Sequence, residues 1–505
     1  MATTSNTSNS RLARPSRRAR MARVVKALGQ VVPAVLVSVA LTSCLGSSSG
    51  ATTHLRGVNL VTDSPDLEFT VDTVDVSSAT YGAMTPLTAA GPGSHAIQVA
   101  GVNPSDLVTQ PTITYTPFGT PVNETLAANV GYTVVAYGTT SDPKFIVSSD
   151  TDLDSPVPQY EVIYKIMDVA TKGPPVIVFI TAPGAGITSR LEIARLNFGE
   201  STNDTTLTIA IPPGLLNSGA TLSLNLTIEL ENALTGEDVI PANTLTVTEQ
   251  ERVLFVIADN IGPGSTPIVI DALAGAAGDS ASGVLFANPA DDAELAFANV
   301  TATAPPFNVI GGLNLQSTLA KDIGFGQKSA YGNVNSGVAG TIAAPTADPS
   351  HLTFLVSFVS QADQSYTEYA VGPLPTIVGV VLQDDRRSVP VEGEFRFLNA
   401  AYEFEFGPAM DIYLVPHDMG LNILATNGNR PPPNYTAVAF KSSTPYLQVS
   451  AGVYDAYFAN TGTSDIILGP IFLSIADGSI TTYVFTNEAN GVLELLPFND
   501  VKPPQ

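Results

Sequence analysis

The chain has 505 residues, of which 46 are Asp or Glu and only 22 are Lys or Arg, and its net charge of −24 argues against nucleic-acid binding through a basic surface. Charged side chains make up 13% of it, about half the usual share, while Gly and Pro number 41 and 38, a balance that suggests β-rich, secreted material. With one cysteine there is no intrachain disulfide, so packed cores have to supply the stability.

The first predicted element is an address, covering residues 1–43. Arg11, Arg14, Arg17, Arg18, Arg20, Arg23 and Lys26 form a basic n-region, and no acidic residue precedes Cys44. The apolar stretch from Val31 to Leu41 is too short to span a bilayer as a helix but suits a signal h-region. Translation from Met1 or from Met21 gives a complete signal. The stretch ends at Leu41-Thr42-Ser43-Cys44, which resembles the lipobox of bacterial lipoproteins, and this implies diacylglycerol on the Cys44 thiol and cleavage before it. The mature chain then carries 15 Lys and Arg against 46 Asp and Glu, a net charge near −31. Leu45 rather than Asp follows the cysteine, which favours the outer membrane under enteric sorting rules. Residues 44–53, with Gly46-Ser47-Ser48-Ser49-Gly50, read as a flexible tether.

Beyond the tether one order of landmarks occurs four times. An apolar strand leads into a turn at Gly57–Val61, Val162–Ile166, Leu295–Val300 and Phe395–Asn399. A mid-unit aromatic opens a small or polar turn at Tyr81-Gly82, Phe198-Gly199, Phe325-Gly326 and Phe440-Lys441, the fourth copy having lost its glycine. A β-rich run closes each unit at Tyr132–Ala136, Val253–Ile257, Tyr366–Ala370 and Thr482–Phe485. Within units, apolar and polar residues alternate with period two, strictly so in Thr221–Ile228, as half-buried strands require. Turn signals such as Gly262-Pro263-Gly264 punctuate them. The expected fold is therefore all-β, a tandem array of antiparallel β-sandwich domains of immunoglobulin- or transthyretin-like kind. Its units are expected at residues 54–151, 152–280, 281–390 and 391–505, with few contacts crossing the boundaries.

The fourth unit runs from Phe395-Arg396-Phe397-Leu398-Asn399-Ala400-Ala401 through Met410-Asp411-Ile412-Tyr413-Leu414 to Val449-Ser450-Ala451-Gly452-Val453-Tyr454. This is similar to the bacterial family called domain of unknown function 4397, with its "RFVNA"-like strand, Asp-aliphatic-Tyr strand and Ala-Gly-x-Tyr strand end. The first unit resembles it through Val58-Asn59-Leu60, Ser64-Pro65-Asp66, Tyr81-Gly82 and Tyr132-Thr133-Val134-Val135-Ala136. The second and third units resemble it less, since Val178-Phe179-Ile180 and Phe307-Asn308-Val309-Ile310 lack the Asp. The resemblance implies envelope or extracellular β-domains, often tandem, and carries over no catalytic residue.

Residues that bear chemistry are sparse. His54, His95, His351 and His417 lack the spacing of a zinc site. Asp150, Asp152 and Asp154 with Glu161 have the carboxylate layout of a calcium loop, but Ser155 replaces the turn glycine and Pro156 and Pro158 stiffen the segment. Acidic residues also mark the later junctions at Asp291, Asp292 and Glu294 and at Asp384 and Asp385, so calcium between tandem domains is weighed against a solvated acidic linker. The expected role is structural or adhesive, without catalysis and without nucleic acid, in a cell-envelope protein held by a lipid at Cys44 and meeting a protein or glycan partner. A carbohydrate- or small-ligand-binding module is the first alternative, weakened by the absence of Trp, and an envelope enzyme is the second.

Overall fold

The computed structural model describes residues 52–103, 114–151, 155–181, 190–208, 223–275, 281–311, 317–404, 407, 409–417, 432–463, 465–488 and 490–502. Cys44, Asp152 and Asp154 lie outside the described residues. From Thr52 onward the chain forms one compact body. Its strands assemble into eight sheets, two for each sandwich, so the all-β tandem architecture holds.

Each sandwich begins with an opening strand, at Thr53–Val61, Glu161–Asp168, Ala293–Asn299 and Gly393–Asn399. Each also has a return strand, at Val130–Thr139, Arg252–Asp259, Ser365–Val371 and Ile480–Asn487. The two are paired in parallel, with Arg56 beside Thr133, Lys165 beside Leu254, Ala296 beside Thr367 and Arg396 beside Thr482. This one parallel pair in each unit departs from a wholly antiparallel sandwich. The return strand then turns back into an antiparallel hairpin with Asp142–Thr151, Ile268–Gly275, Val378–Asp384 or Leu493–Asn499. These three strands lie side by side in one sheet, the hairpin strand at its edge in all but the second unit, and the second sheet of each unit packs across the core from it.

The repeat is written in the backbone as well as in the topology. The turn after each mid-unit aromatic has a positive φ, at Gly82, Gly199, Gly326 and Lys441. In all four, the N–H of that residue donates at 2.8 Å to the carbonyl of an Asn or Asp at the end of the opening strand, the last residue at Asp168, Asn299 and Asn399 and two residues before the last at Asn59. Three copies use glycine, which enters the left-handed region without a steric cost; Lys441 enters it with a side chain. The Asn side chains complete the tie. Asn59, Asn299 and Asn399 donate to the carbonyls of Ala79, Ile323 and Val438, and their side-chain oxygens accept the N–H two residues on.

The third unit needs a correction at its start. Ala281–Ser282 pairs with Ala83–Met84 of the first sandwich, and Val284–Phe286 pairs with the hairpin strand of the second. The first strand of the third sandwich begins only at Ala293, because residues 281–286 are spent in completing the sheets before it.

Boundaries crossed by few contacts also do not hold throughout. The outer face of the first unit's opening and return strands packs on the same face of the second unit, where Val58, Leu60, Val135 and Tyr137 meet Met167, Val169, Leu254 and Val256. The third and fourth units repeat this with Ala298, Val300, Tyr369 and Val371 against Leu398, Ala400, Val484 and Phe498. The chain is thus two pairs of sandwiches. None of the apolar clusters formed by described residues combines the two pairs.

Candidate functional site

At both paired junctions the apolar layer encloses ions. Asp150 stands on the hairpin strand opposite Gly131, two residues before Thr133, and Asp384 occupies the same position opposite Ser365, two before Thr367. Each carboxylate accepts its threonine hydroxyl at 2.5 Å. The cation comes from the opening strand of the next sandwich, Lys165 to Asp150 and Arg396 to Asp384. Lys165 and Arg396 hold equivalent positions, so the second ion pair repeats the first. All four side chains are almost wholly buried.

The fourth sandwich adds a third copy of the acid. Asp500 accepts the Thr482 hydroxyl at 2.5 Å and pairs at 2.5 Å with Lys328 from the third sandwich. Tyr331 donates to Asp384 at 2.8 Å and Tyr446 to Asp500 at 3.2 Å. Burial, followed by the charges of these two aspartates, pushes the Tyr331 phenol well above its ordinary range, and burial with Asp500 does the same for Tyr446. Neither phenol is therefore a base or nucleophile at neutral pH.

A cavity of about 730 Å³ opens beside this network, lined by Lys328, Tyr331, Arg386, Lys502 and Glu294 among others. The Arg386 guanidinium lies 3.8 Å from the centre of the Tyr331 ring and pairs with Glu294. Lys502 donates to the Gly262 carbonyl at 3.0 Å, and burial lowers its ammonium pKa. Three of the 15 basic residues after Cys44 thus line one cleft of an acidic chain.

The sequence-predicted residues are distributed differently. Asp150, expected as the first calcium ligand, has a fully buried side chain that takes the Lys165 ammonium and lies 3.8 Å from Arg56, so its charge is already balanced. Glu161 opens the second sandwich and is half-buried. Of the later acidic junctions, Asp291 accepts from Ser265 and from the Thr266 N–H, and Asp384 belongs to the ion layer. His95, His351 and His417 each bond a separate aspartate, Asp72, Asp348 and Asp455, and do not converge.

Several acids escaped the sequence reading, most of them buried. Glu229, Glu231 and Asp238 bring carboxylate oxygens within 4.8 Å of one another, but Arg190 bridges the first two. Their alternation on one strand face, Glu229-Leu230-Glu231, was the available signal. Burial pushes Asp271 and Glu368 up to about 7, the Thr341 hydroxyl opposing the shift at Glu368, and no hydrogen-bond partner is seen for the Asp271 carboxyl among the described residues. Asp168 is the Asp that stands where the other units have Asn, and burial pushes it up to about 6. Nothing in composition distinguishes such acids from solvated ones.

No protein-family model matches the chain, and no curated protein matches it in sequence. Among solved structures, the TIE protein of Bacillus anthracis aligns over 88% of this chain and 69% of its own at 9% identity, with a TM-score of 0.14. No helix of the described residues is long and apolar enough to cross a membrane.

Proposed function

We propose that this chain is a lipid-anchored cell-envelope protein whose paired sandwiches serve a structural or adhesive role, held to the membrane through diacylglycerol on Cys44 with the outer membrane as the favoured site. The observation that carries the structural reading is the use of the buried charges: Asp150, Asp384 and Asp500 are each consumed by a threonine hydroxyl and a cation that tie neighbouring sandwiches together. The likeness of the first and fourth units to domain of unknown function 4397 supports the envelope setting. Mass spectrometry of the membrane fraction should find a diacylated Cys44 at the N-terminus, and Cys44→Ser should release the protein from membranes. Soluble chain with an unmodified cysteine would refute the anchor.

The cleft of the third and fourth sandwiches favours a second reading, a module for an acidic carbohydrate. Lys502 supplies positive charge there, beside Lys328 and Arg386, whose own charges are paired with Asp500 and Glu294 and which cover the Tyr331 ring. Titration with oligogalacturonate tests it. Binding lost in Lys502→Ala supports the module, and no heat at millimolar sugar returns the cleft to a structural role.

A further inference from the structure

The outer sheet of each sandwich ends in a long strand, at Thr114–Leu126, Asp238–Thr248, Phe354–Ser360 and Ile466–Ile475. An end strand presents a row of unpaired N–H and C=O groups, and proteins usually protect it with proline or charge. Three of these four are protected in that way. Thr114–Leu126 contains Pro117, Pro121 and Glu124, Asp238–Thr248 contains Asp238 and Pro241, and Ile466–Ile475 contains Pro470. The strand of the third sandwich, Phe-Leu-Val-Ser-Phe-Val-Ser, has neither.

Its outward face is apolar as well. Leu355 and Val359 are 65% and 66% exposed, and the neighbouring strand adds Val338, 63% exposed and directly paired with Val359. Ile342 pairs with Leu355, and Ile310 lies beside Ile342, so the apolar positions run across three strands in register. No charged residue occurs on the two outermost strands, Gly337–Pro345 and Phe354–Ser360.

We propose that Phe354–Ser360 is the pairing edge for a second copy of this chain, the two strands running antiparallel about a twofold axis at Ser357. The sequence is self-complementary in that register: Leu355 faces Val359 of the other copy, Val356 faces Phe358, and Ser357 faces Ser357. Two chains of net charge −24 repel wherever acidic surfaces meet, and an edge strand free of carboxylates lets them approach. Pairing joins two four-stranded outer sheets into one of eight strands and extends the apolar band from Ile310 across both copies.

Sedimentation of the purified full-length chain at roughly 10 to 100 μM should show a species of twice the monomer mass. Ser357→Glu sets two carboxylates opposite each other at the axis and should leave a monomer whose melting temperature is unchanged. In a Cys44→Ser background, Ser357→Cys should form an intermolecular disulfide on mild oxidation, while Ser350→Cys in the preceding exposed loop should not. A chain that stays monomeric throughout that range overturns the proposal. So does a dimer that survives Ser357→Glu, or cross-linking that is equal at the two positions, either of which would place the contact elsewhere.

Discussion

Between the first and second sandwiches Val58, Leu60, Val135 and Met167 exclude water around the Asp150–Lys165 pair. Between the two sandwich pairs the contacts are of another kind. Asn260 donates to Asp363 at 2.9 Å, Lys502 to the Gly262 carbonyl, and Arg387 to the Ser64 carbonyl with its guanidinium 5.0 Å from the Tyr81 ring centre. Asp66, Asp385, Glu392 and Glu394 surround Arg387 electrostatically. An apolar layer with enclosed ions has a steep cost of opening, whereas a polar seam exchanges its hydrogen bonds for water at little net cost. Four repeats of one fold thus act as two mechanical units.

The largest expected effect breaks the welded side. Arg396→Ala leaves Asp384 charged and buried, which should destabilise the third and fourth sandwiches by about 3–5 kcal/mol in denaturant unfolding. Lys165→Ala should act in the same direction on the first and second but by less, since Arg56 stays 3.8 Å from Asp150, and neither should unfold the other pair.

The seam should respond to pH instead. Glu392 and Glu394 ordinarily titrate near 4.5; burial, then Glu394 and Asp385 respectively, pushes them up to about 8 and about 7. Asp66, across the seam from both, adds a smaller upward push, so closing raises these pKa values further, and the closed seam is favoured at low pH and weakens as pH rises through 7 and 8. Small-angle scattering should show the radius of gyration growing over that window in the wild type. The double variant Glu392→Gln, Glu394→Gln should hold it constant, and equal growth in the variant would locate the titration elsewhere.

Two smaller effects sharpen the weld without touching the seam. Asp168→Asn restores the donor present in the other three units, and should stabilise the second sandwich by about 1 kcal/mol. The gain should be greatest above pH 6, since the folded carboxyl is raised to about 6 from 3.8 and its penalty grows as pH rises through that value. Lys441→Gly removes a side chain from a positive φ of 66° and should add about 0.5–1 kcal/mol to the fourth, read from its melting temperature.

Much of this architecture was legible in the sequence, for identifiable reasons. The four apolar runs that mark unit starts all fall in or overlap opening strands, and the four closing runs fall in return strands. Both sets are near-continuous rather than alternating, as in Val253-Leu254-Phe255-Val256-Ile257, because these strands are buried on both faces, one in a core and the other in the paired junction. That second burial was the missed inference, and it separates four independent domains from two welded pairs. The ion layer was hidden for another reason. Asp150 and Lys165 lie 15 residues apart on strands of different sandwiches, and no local spacing announces a contact made by docking. Asp150 looked like the start of a calcium loop because a one-dimensional run of acids carries no information about burial. The cleft shares that difficulty, since Lys328, Arg386 and Lys502 come from distant segments.

The chain should open as two pairs. Hydrogen exchange of the purified protein at pH 8.5, with moderate denaturant, measures it most directly. Amides of the return strands Val130–Thr139 and Arg252–Asp259 should exchange together with one opening free energy, and those of Ser365–Val371 and Ile480–Asn487 with another, while Asn260–Ser265 and residues 385–392 exchange well before both. Four distinct opening energies, one for each sandwich, would contradict the account, as would a single value shared by all four return strands and the seam.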